Sequence, residues 1–94
     1  VQGHPVIFNA GQSEAGRELS AAHADCVFAI EGTIGRAKLL YADLKARLAR
    51  HGRQPDDLKI LSGVTICAAE TDGETEALMR DLDALVPDAV ALDY

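Results

Sequence analysis

The sequence has little basic charge, no long hydrophobic run and few cysteines. Nine lysines and arginines stand against fifteen aspartates and glutamates among 94 residues, so the formal net charge is −6. This lack of a basic excess excludes a surface built for nucleic acid or anionic membranes, because phosphates would not be neutralised. No apolar run approaches the roughly 20 residues that span a bilayer, and the start lacks the features of a signal peptide. We therefore expect a cytoplasmic protein without a membrane or nucleic-acid partner.

The cysteines and histidines form no metal or redox motif. Cys26 and Cys67 lie in apolar, strand-like runs without C-x-x-C spacing, so two buried, reduced thiols are expected. His4, His23 and His51 are not at metal-ligand spacing with one another or with the cysteines. No metal site is predicted, and we interpret the histidines as structural or solvated.

Length and composition limit the size of the fold. Hydrophobic residues make up 48% of the chain and charged residues 26%, which argues against disorder. Ninety-four residues allow one small domain and are too few for a whole (β/α)8 barrel of about 250 residues. The first residue is Val1 and not Met, which suggests processing, an alternative start codon or a piece of a larger protein.

Apolar runs alternate with amphipathic segments along the chain. Three runs that are apolar on both faces predict buried strands, at 6–8, 25–30 and 58–68, the last one interrupted at 62–63. Three segments with apolar residues at helical spacing predict helices, at about 14–23, 34–51 and 72–86. Gly52 ends the second helix, while Thr71 and Glu74 form a capping box before the third, which Pro87 stops. The β-α-β-α-β-α order predicts a parallel sheet with crossover helices.

Three parallel strands leave a physical problem. Right-handed crossovers place the helices on one face of the sheet, yet the strands are apolar on both faces. The second face and both outer edges would lie in water. We therefore expect a section of a closed barrel or of a larger sheet, in which the second face is buried and the edges are paired.

The segment from Asn9 to Arg17 carries the chemistry. It follows the first strand and begins the first helix, where parallel α/β folds bind ligands. Free N–H groups of a first helical turn, together with the Ser13 hydroxyl, are typical of a phosphate site. Gly11 would allow close approach of the backbone, and Gly16 would leave space for a ligand. The structural alternative is that Ser13 is only an N-cap and Gly16 only permits close packing.

A resemblance to a known family follows from longer runs. The run QGHPVIFNAGQSEAGRELSAAHADCVF at 2–28 resembles flavin-dependent monooxygenases of the bacterial-luciferase-like superfamily, and more narrowly the nitrilotriacetate/dibenzothiophene-sulfone monooxygenase family. The resemblance continues through YADLKARLARHGR, DDLKILSG, TDGETEA and DALV, up to about Val86. It implies three β-α units of a (β/α)8 TIM barrel, about strands five to seven. Residues 1–94 would then be a partial barrel domain without an internal boundary.

The resemblance also implies a cofactor and its contacts. In this family, FMN reduced by a separate NAD(P)H:flavin reductase reacts with O2 to oxygenate a small organic substrate. Ser13 maps onto the hydroxyl that binds the FMN phosphate, with Gly11, Gln12 and Glu14 as neighbours. Catalytic residues cannot be assigned. The chain departs from the family pattern at Asn9, where Gln is expected, and at Glu31, where neutral polar residues are usual.

The function that follows is a fragment of a two-component, FMN-dependent monooxygenase that is inactive when isolated. This segment would supply the strand–helix turn that binds the flavin phosphate. The alternative is a non-catalytic α/β module that binds a phosphorylated ligand or forms a homo-oligomer through its open sheet edges.

Overall fold

A three-stranded parallel sheet with helices between its strands forms the first part of the chain. The computed structural model describes residues 3–86, which divide into two compact units with the boundary between Val64 and Thr65. The first unit contains β1 (Phe8–Asn9), α1 (Glu14–His23), β2 (Cys26–Ala29), α2 (Ile34–Leu48) and β3 (Lys59–Ser62). Two 3-10 turns, Ala49–His51 and Pro55–Asp57, connect α2 to β3. The strand order β1-β2-β3 and its parallel pairing confirm the predicted topology.

The second unit contains one helix, α3 (Asp72–Ala84). Its capping box is formed as predicted: the Thr71 hydroxyl accepts from the Glu74 N–H at 3.3 Å, and the Glu74 carboxylate accepts from the Thr71 N–H at 3.2 Å. The predicted stop at Pro87 lies outside the described residues. No helix within residues 3–86 has the length and apolarity needed to cross a membrane.

The strands are shorter than the apolar runs that predict them. β3 ends at Ser62, and the expected continuation to Ala68 is wrong. The Gly63 N–H donates to the Ala29 carbonyl at 2.8 Å, and β2 ends at that same alanine. The chain that follows Gly63 has no strand beside it among the described residues, so the hydrogen-bond ladder stops there.

The core of the first unit lies between the sheet and its two helices. Its members are aliphatic side chains of both helices and of the sheet face beneath them: Ala21, Ala24, Val27, Ala29, Leu40, Leu44, Leu48 and Leu58. Within α2, the buried Leu40, Leu44 and Leu48 lie at helical spacing on one face. Tyr41 lies outside this core: it is 53% exposed, and the Lys45 ammonium lies 5.3 Å from the centre of its ring.

The opposite face of the sheet is uncovered within this unit. The register places Phe8 beside Cys26 and Phe28 beside Leu61, on the face away from the helices. Phe8 is 60% exposed and Phe28 is 42% exposed. Cys26 lies on this face and is only half-buried, as is Cys67 in the second unit, so the expectation of two buried thiols is wrong. The apolar second face has the exposure that the sequence predicts for a section of a larger sheet.

Candidate functional site

The turn between β1 and α1 lies at the carboxyl end of the sheet. Ser13 is the N-cap of α1, and its hydroxyl oxygen accepts a hydrogen bond from the Gly16 N–H at 3.1 Å. Ser13 and Glu14 are exposed, whereas Gly11 and Gln12 are half-buried. The four predicted site residues thus form one continuous turn that leads into the helix.

Gly16 packs directly against the backbone of this turn. A Cβ atom at Gly16 would lie 2.7 Å from both the carbonyl carbon and the carbonyl oxygen of Gly11. The space above Gly16 is therefore filled by the chain itself. The expectation that Gly16 leaves room for a ligand is wrong, and the packing alternative is correct, because a close backbone approach requires a residue without a side chain.

Asn9 fixes the start of the turn through hydrogen bonds in both directions. Its carbonyl oxygen accepts from the Gly11 N–H at 3.0 Å. Its amide nitrogen donates to the Gly16 carbonyl at 3.1 Å and to the Ser20 hydroxyl at 2.7 Å. The departure from the family pattern at this position thus gives a residue that ties the strand end, the glycine turn and the first two turns of α1 together.

Gln12 joins the turn to the carboxyl end of the neighbouring strand. With its amide oriented by its partners, its nitrogen donates to Glu31 Oε1 at 2.9 Å and its oxygen accepts from the Ile30 N–H at 2.9 Å. Glu31 also accepts from Arg36 Nε at 3.0 Å. On the other side, Arg17 Nε donates to the backbone carbonyl of Gln12 at 2.8 Å. The turn is held from both neighbouring elements, and Glu31 is engaged within the rim.

Glu14 turns away from the helix terminus toward α2. Arg47 donates to both of its carboxylate oxygens, from Nη1 to Oε1 at 2.7 Å and from Nη2 to Oε2 at 2.9 Å. Arg47 also donates from Nη1 to Glu18 at 2.9 Å and from Nε to Asp43 at 2.9 Å. Only 6% of Arg47 is exposed, so a buried guanidinium is surrounded by three carboxylates.

These contacts shift the ionisation of the whole cluster. The hydrogen bond from Arg47 and its positive charge lower the pKa of Glu14. His51 first, and then Arg47, lower the pKa of Glu18. Burial acts to raise the pKa of Asp43, but hydrogen bonds from Arg47 and Arg17 outweigh it and lower that pKa. The carboxylates in turn raise the pKa of Arg47, so Arg47 and its three carboxylate partners are ionised near neutral pH.

Arg17 pairs with Asp43 of α2. Its Nη1 donates to Asp43 Oδ2 at 3.1 Å, while its Nε holds the Gln12 carbonyl. Arg17, which lies in α1, therefore links the turn to Asp43 of α2.

Several hydrogen-bond donors of the turn have no acceptor among the described residues. The N–H groups of Glu14 and Ala15 have no partner among residues 3–86, as is usual for a first helical turn. The Ser13 hydroxyl accepts one bond but donates none within that range. No group of three or more histidine, cysteine or acidic side chains that could hold a metal ion occurs there. The arrangement suits an anion and offers no ligand set for a cation.

A separate cavity of about 420 Å³ lies beside α2 and β3. It is predominantly apolar, with Glu31 and Thr33 among its few polar neighbours, and Tyr41 and Ile60 contribute to its walls. None of the turn residues from Gly11 to Glu14 lines it. The cavity and the predicted phosphate turn are therefore distinct features of the first unit.

The sequence pattern alone does not identify Arg47, which pairs with the Glu14 carboxylate at this site. Lys and Arg in a helix pattern usually face solvent. The sequence does contain one indication that Arg47 is paired: Asp43 lies one turn earlier on the same helix. Two carboxylates one turn apart in α1, at Glu14 and Glu18, completed the pattern of an arginine paired across two helices.

Comparison with known proteins gives consistent matches along almost the whole chain. Residues 1–91 match the family described as luciferase-like monooxygenase. Nitrilotriacetate monooxygenase component A from Aminobacter aminovorans is 44% identical over 86 residues, which is 92% of this chain and 19% of that protein. The chain spans about a fifth of the length of this relative.

Solved structures give the same picture. A crystal structure of a long-chain alkane monooxygenase has a TM-score of 0.71 and 36% identity, and the match covers 81% of this chain and 18% of that one. A riboflavin lyase solved with modified FMN and riboflavin has a TM-score of 0.78 and 29% identity, covering 85% of this chain and 18% of that one. These likenesses confirm the expected fold class, three β-α units of a (β/α)8 barrel.

Proposed function

The chain belongs to the luciferase-like monooxygenase family, and we propose that its turn from Gly11 to Glu14 binds the phosphate of FMN within a two-component monooxygenase. Bound reduced FMN supplies the chemistry with O2 that oxygenates a small organic substrate. The residues of this chain hold the phosphate end of that group and fix its position. The flavin reductase and the organic substrate are part of this proposal, as is a single barrel domain across residues 1–94.

The observation that carries the proposal is a rigid turn with unused donors. Asn9 and Arg17 fix the backbone on either side of the turn, so its donors need no reorganisation to meet an anion. The N–H groups of Glu14 and Ala15 and the Ser13 hydroxyl are available there. A helix N-terminus adds the positive end of its dipole, which favours phosphate.

The carboxylate of Glu14 is compatible with this assignment. A free glutamate beside a phosphate would repel it, which argues against the site at the level of sequence. The bidentate contact with Arg47 directs that carboxylate toward α2 and pairs its charge. The residues of the turn therefore suit the phosphate of FMN in both donor chemistry and charge.

Replacing Ser13 with alanine tests the assignment. One donor to a charged group is lost, so FMN affinity should fall by about 1–2 kcal/mol, or on the order of tenfold. Riboflavin lacks the phosphate, and its affinity should change little. Fluorescence titration of both flavins, with the protein as its gene encodes it, measures the two effects together.

Thr33 provides the matched control, because Ser13 is also an N-cap. The Thr33 hydroxyl caps α2 in the same manner, accepting from the Arg36 N–H at 3.2 Å. Thr33→Ala should therefore cost a similar loss of cap stability without a phosphate-specific effect. If Ser13→Ala binds FMN as tightly as the unaltered protein does, the phosphate assignment is wrong.

Self-association is the second candidate function, and the uncovered face of the sheet favours it. Phe8, Phe28 and Leu61 present adjacent apolar side chains on that face within the first unit. A second copy could cover this surface in place of further strands. The two functions differ in their flavin dependence: a structural module would associate equally with and without FMN.

A further inference from the structure

We propose that Arg47 is a positioning residue for the anion site. Its two hydrogen bonds hold the Glu14 carboxylate away from the N-terminus of α1, where that carboxylate would otherwise compete with a bound anion. This inference rests on the proposed function of the turn. It assigns a role to a buried arginine that lies on a different helix and contacts no residue of the turn except Glu14.

The position of Glu14 makes it a competitor. It is the first residue of α1, directly after the N-cap Ser13. A carboxylate in the first turn of a helix is attracted to the same free N–H groups and dipole that attract a phosphate. An unrestrained Glu14 could therefore fold back onto these donors, or repel an incoming anion by its charge.

The geometry of Arg47 prevents this. Both carboxylate oxygens of Glu14 are engaged, at 2.7 and 2.9 Å, by two nitrogens of one guanidinium. The guanidinium is itself oriented by Asp43 at 2.9 Å on its own helix and by Glu18 at 2.9 Å on α1. A planar group held at three of its corners cannot follow Glu14 toward the turn, so the bidentate pair fixes the carboxylate in place.

The charges around Arg47 favour a fixed Arg47–Glu14 ion pair over a mobile one. Asp43 is shared with Arg17, and Glu18 is shared with Arg50 at 3.7 Å and with His51 at 2.8 Å. Asp43 and Glu18 therefore each have a further basic partner besides Arg47, whereas Glu14 pairs with Arg47 alone within residues 3–86. Loss of Arg47 would leave Glu14 alone without a cation, because Asp43 and Glu18 keep theirs.

The test compares FMN with riboflavin in four proteins, each as its gene encodes it apart from the stated change. These are the unaltered protein, Arg47→Met, Glu14→Gln and the double variant. The readout is the ratio of riboflavin Kd to FMN Kd, which isolates the contribution of the phosphate. We expect Arg47→Met to lower this ratio on the order of fivefold, since a freed carboxylate lies near a phosphate dianion. The double variant should restore the ratio to within about twofold, because the competitor is then neutral.

Arg53 supplies a matched control for structural damage. Its guanidinium also braces α1, but at the opposite end, donating to the Ala21 carbonyl at 2.9 Å and the Ala24 carbonyl at 2.7 Å. Arg53→Met should change the affinities of both flavins together and leave their ratio unchanged. If Arg47→Met does not fold, Arg47→Gln replaces it with the same expected ratio, because it removes the charge but keeps hydrogen-bonding groups.

The outcomes separate this inference from the proposed function. If the unaltered protein binds FMN and riboflavin equally, the phosphate assignment fails and the role of Arg47 fails with it. If it prefers FMN and Arg47→Met keeps that preference, only the role of Arg47 is overturned. If the double variant stays as weak as Arg47→Met, Arg47 does not act through Glu14, and the inference is likewise overturned.

Discussion

Alanine at Gly16 is the sharpest test of how the turn is built. The Cβ atom would meet two backbone atoms of Gly11 at 2.7 Å, and ordinary van der Waals contact begins at 3.4 Å. The Gly11 backbone would therefore have to move by 3.4 − 2.7 = 0.7 Å. Because the obstacle is backbone, no rotamer change relieves it, and the move strains the hydrogen bond from the Gly11 N–H to Asn9.

The expected magnitude comes from two opposing effects. Overpacking of this kind costs about 1–3 kcal/mol, while replacing a helical glycine with alanine gains up to about 1 kcal/mol. Gly35 separates the cost of overpacking from the gain in helix propensity, because it also lies in the first turn of a helix. A Cβ atom at Gly35 would have only the Thr33 hydroxyl within 4 Å, at 3.9 Å. Gly35→Ala should show the gain alone. The difference between the two variants should therefore be about 1–3 kcal/mol.

Urea unfolding of the two variants measures this difference in the free energy of unfolding. Gly16→Ala should also weaken FMN binding, because the displaced turn carries the donors, whereas Gly35→Ala should not. The reasoning is refuted if the two variants differ by less than the roughly 0.5 kcal/mol that is typical of neutral surface changes. Gly16 would then be an ordinary helical glycine, and the fixed turn would need another explanation.

Two further predictions concern stability and assembly. The lowered pKa values of Glu14, Glu18 and Asp43 mean that these acids bind protons more readily in the unfolded chain. Their contribution to stability is therefore complete above about pH 4.5, the ordinary glutamate value, and is lost as the pH falls through the lower folded values. Unfolding titrations between pH 7 and pH 3 should show this decline, and Arg47→Met should flatten it; equal slopes would contradict the role of the cluster. The 94-residue chain expressed alone should self-associate through the apolar face that contains Phe8 and Phe28, which sedimentation at increasing concentration would detect. A monomer with a cooperative thermal transition at all concentrations would argue against this prediction.

Local patterns in the sequence determined the elements of the fold. The bounds of α1 follow from apolar spacing and the cap at Ser13, and the capping box of α3 follows from Thr71 and Glu74. Gly52, with a φ of 65°, ends the helical segment where a left-handed residue is needed. Such features depend on residues three or four positions apart, so the sequence displays them directly.

The tertiary structure decided which residues of those elements contact one another. Glu14 and Arg47 are 33 residues apart, and only the crossover from α1 through β2 to α2 brings them together. A glycine is needed at position 16 because the Gly11 backbone lies against it. Strand β3 ends where its neighbour β2 ends. The apolar runs that predict the strands do not reveal where the neighbouring strand stops. The sequence by itself thus determined the order of the elements and the presence of a turn suited to an anion. Tertiary packing decided the charge of that turn, because the pairing of a carboxylate depends on which distant cation the fold places beside it.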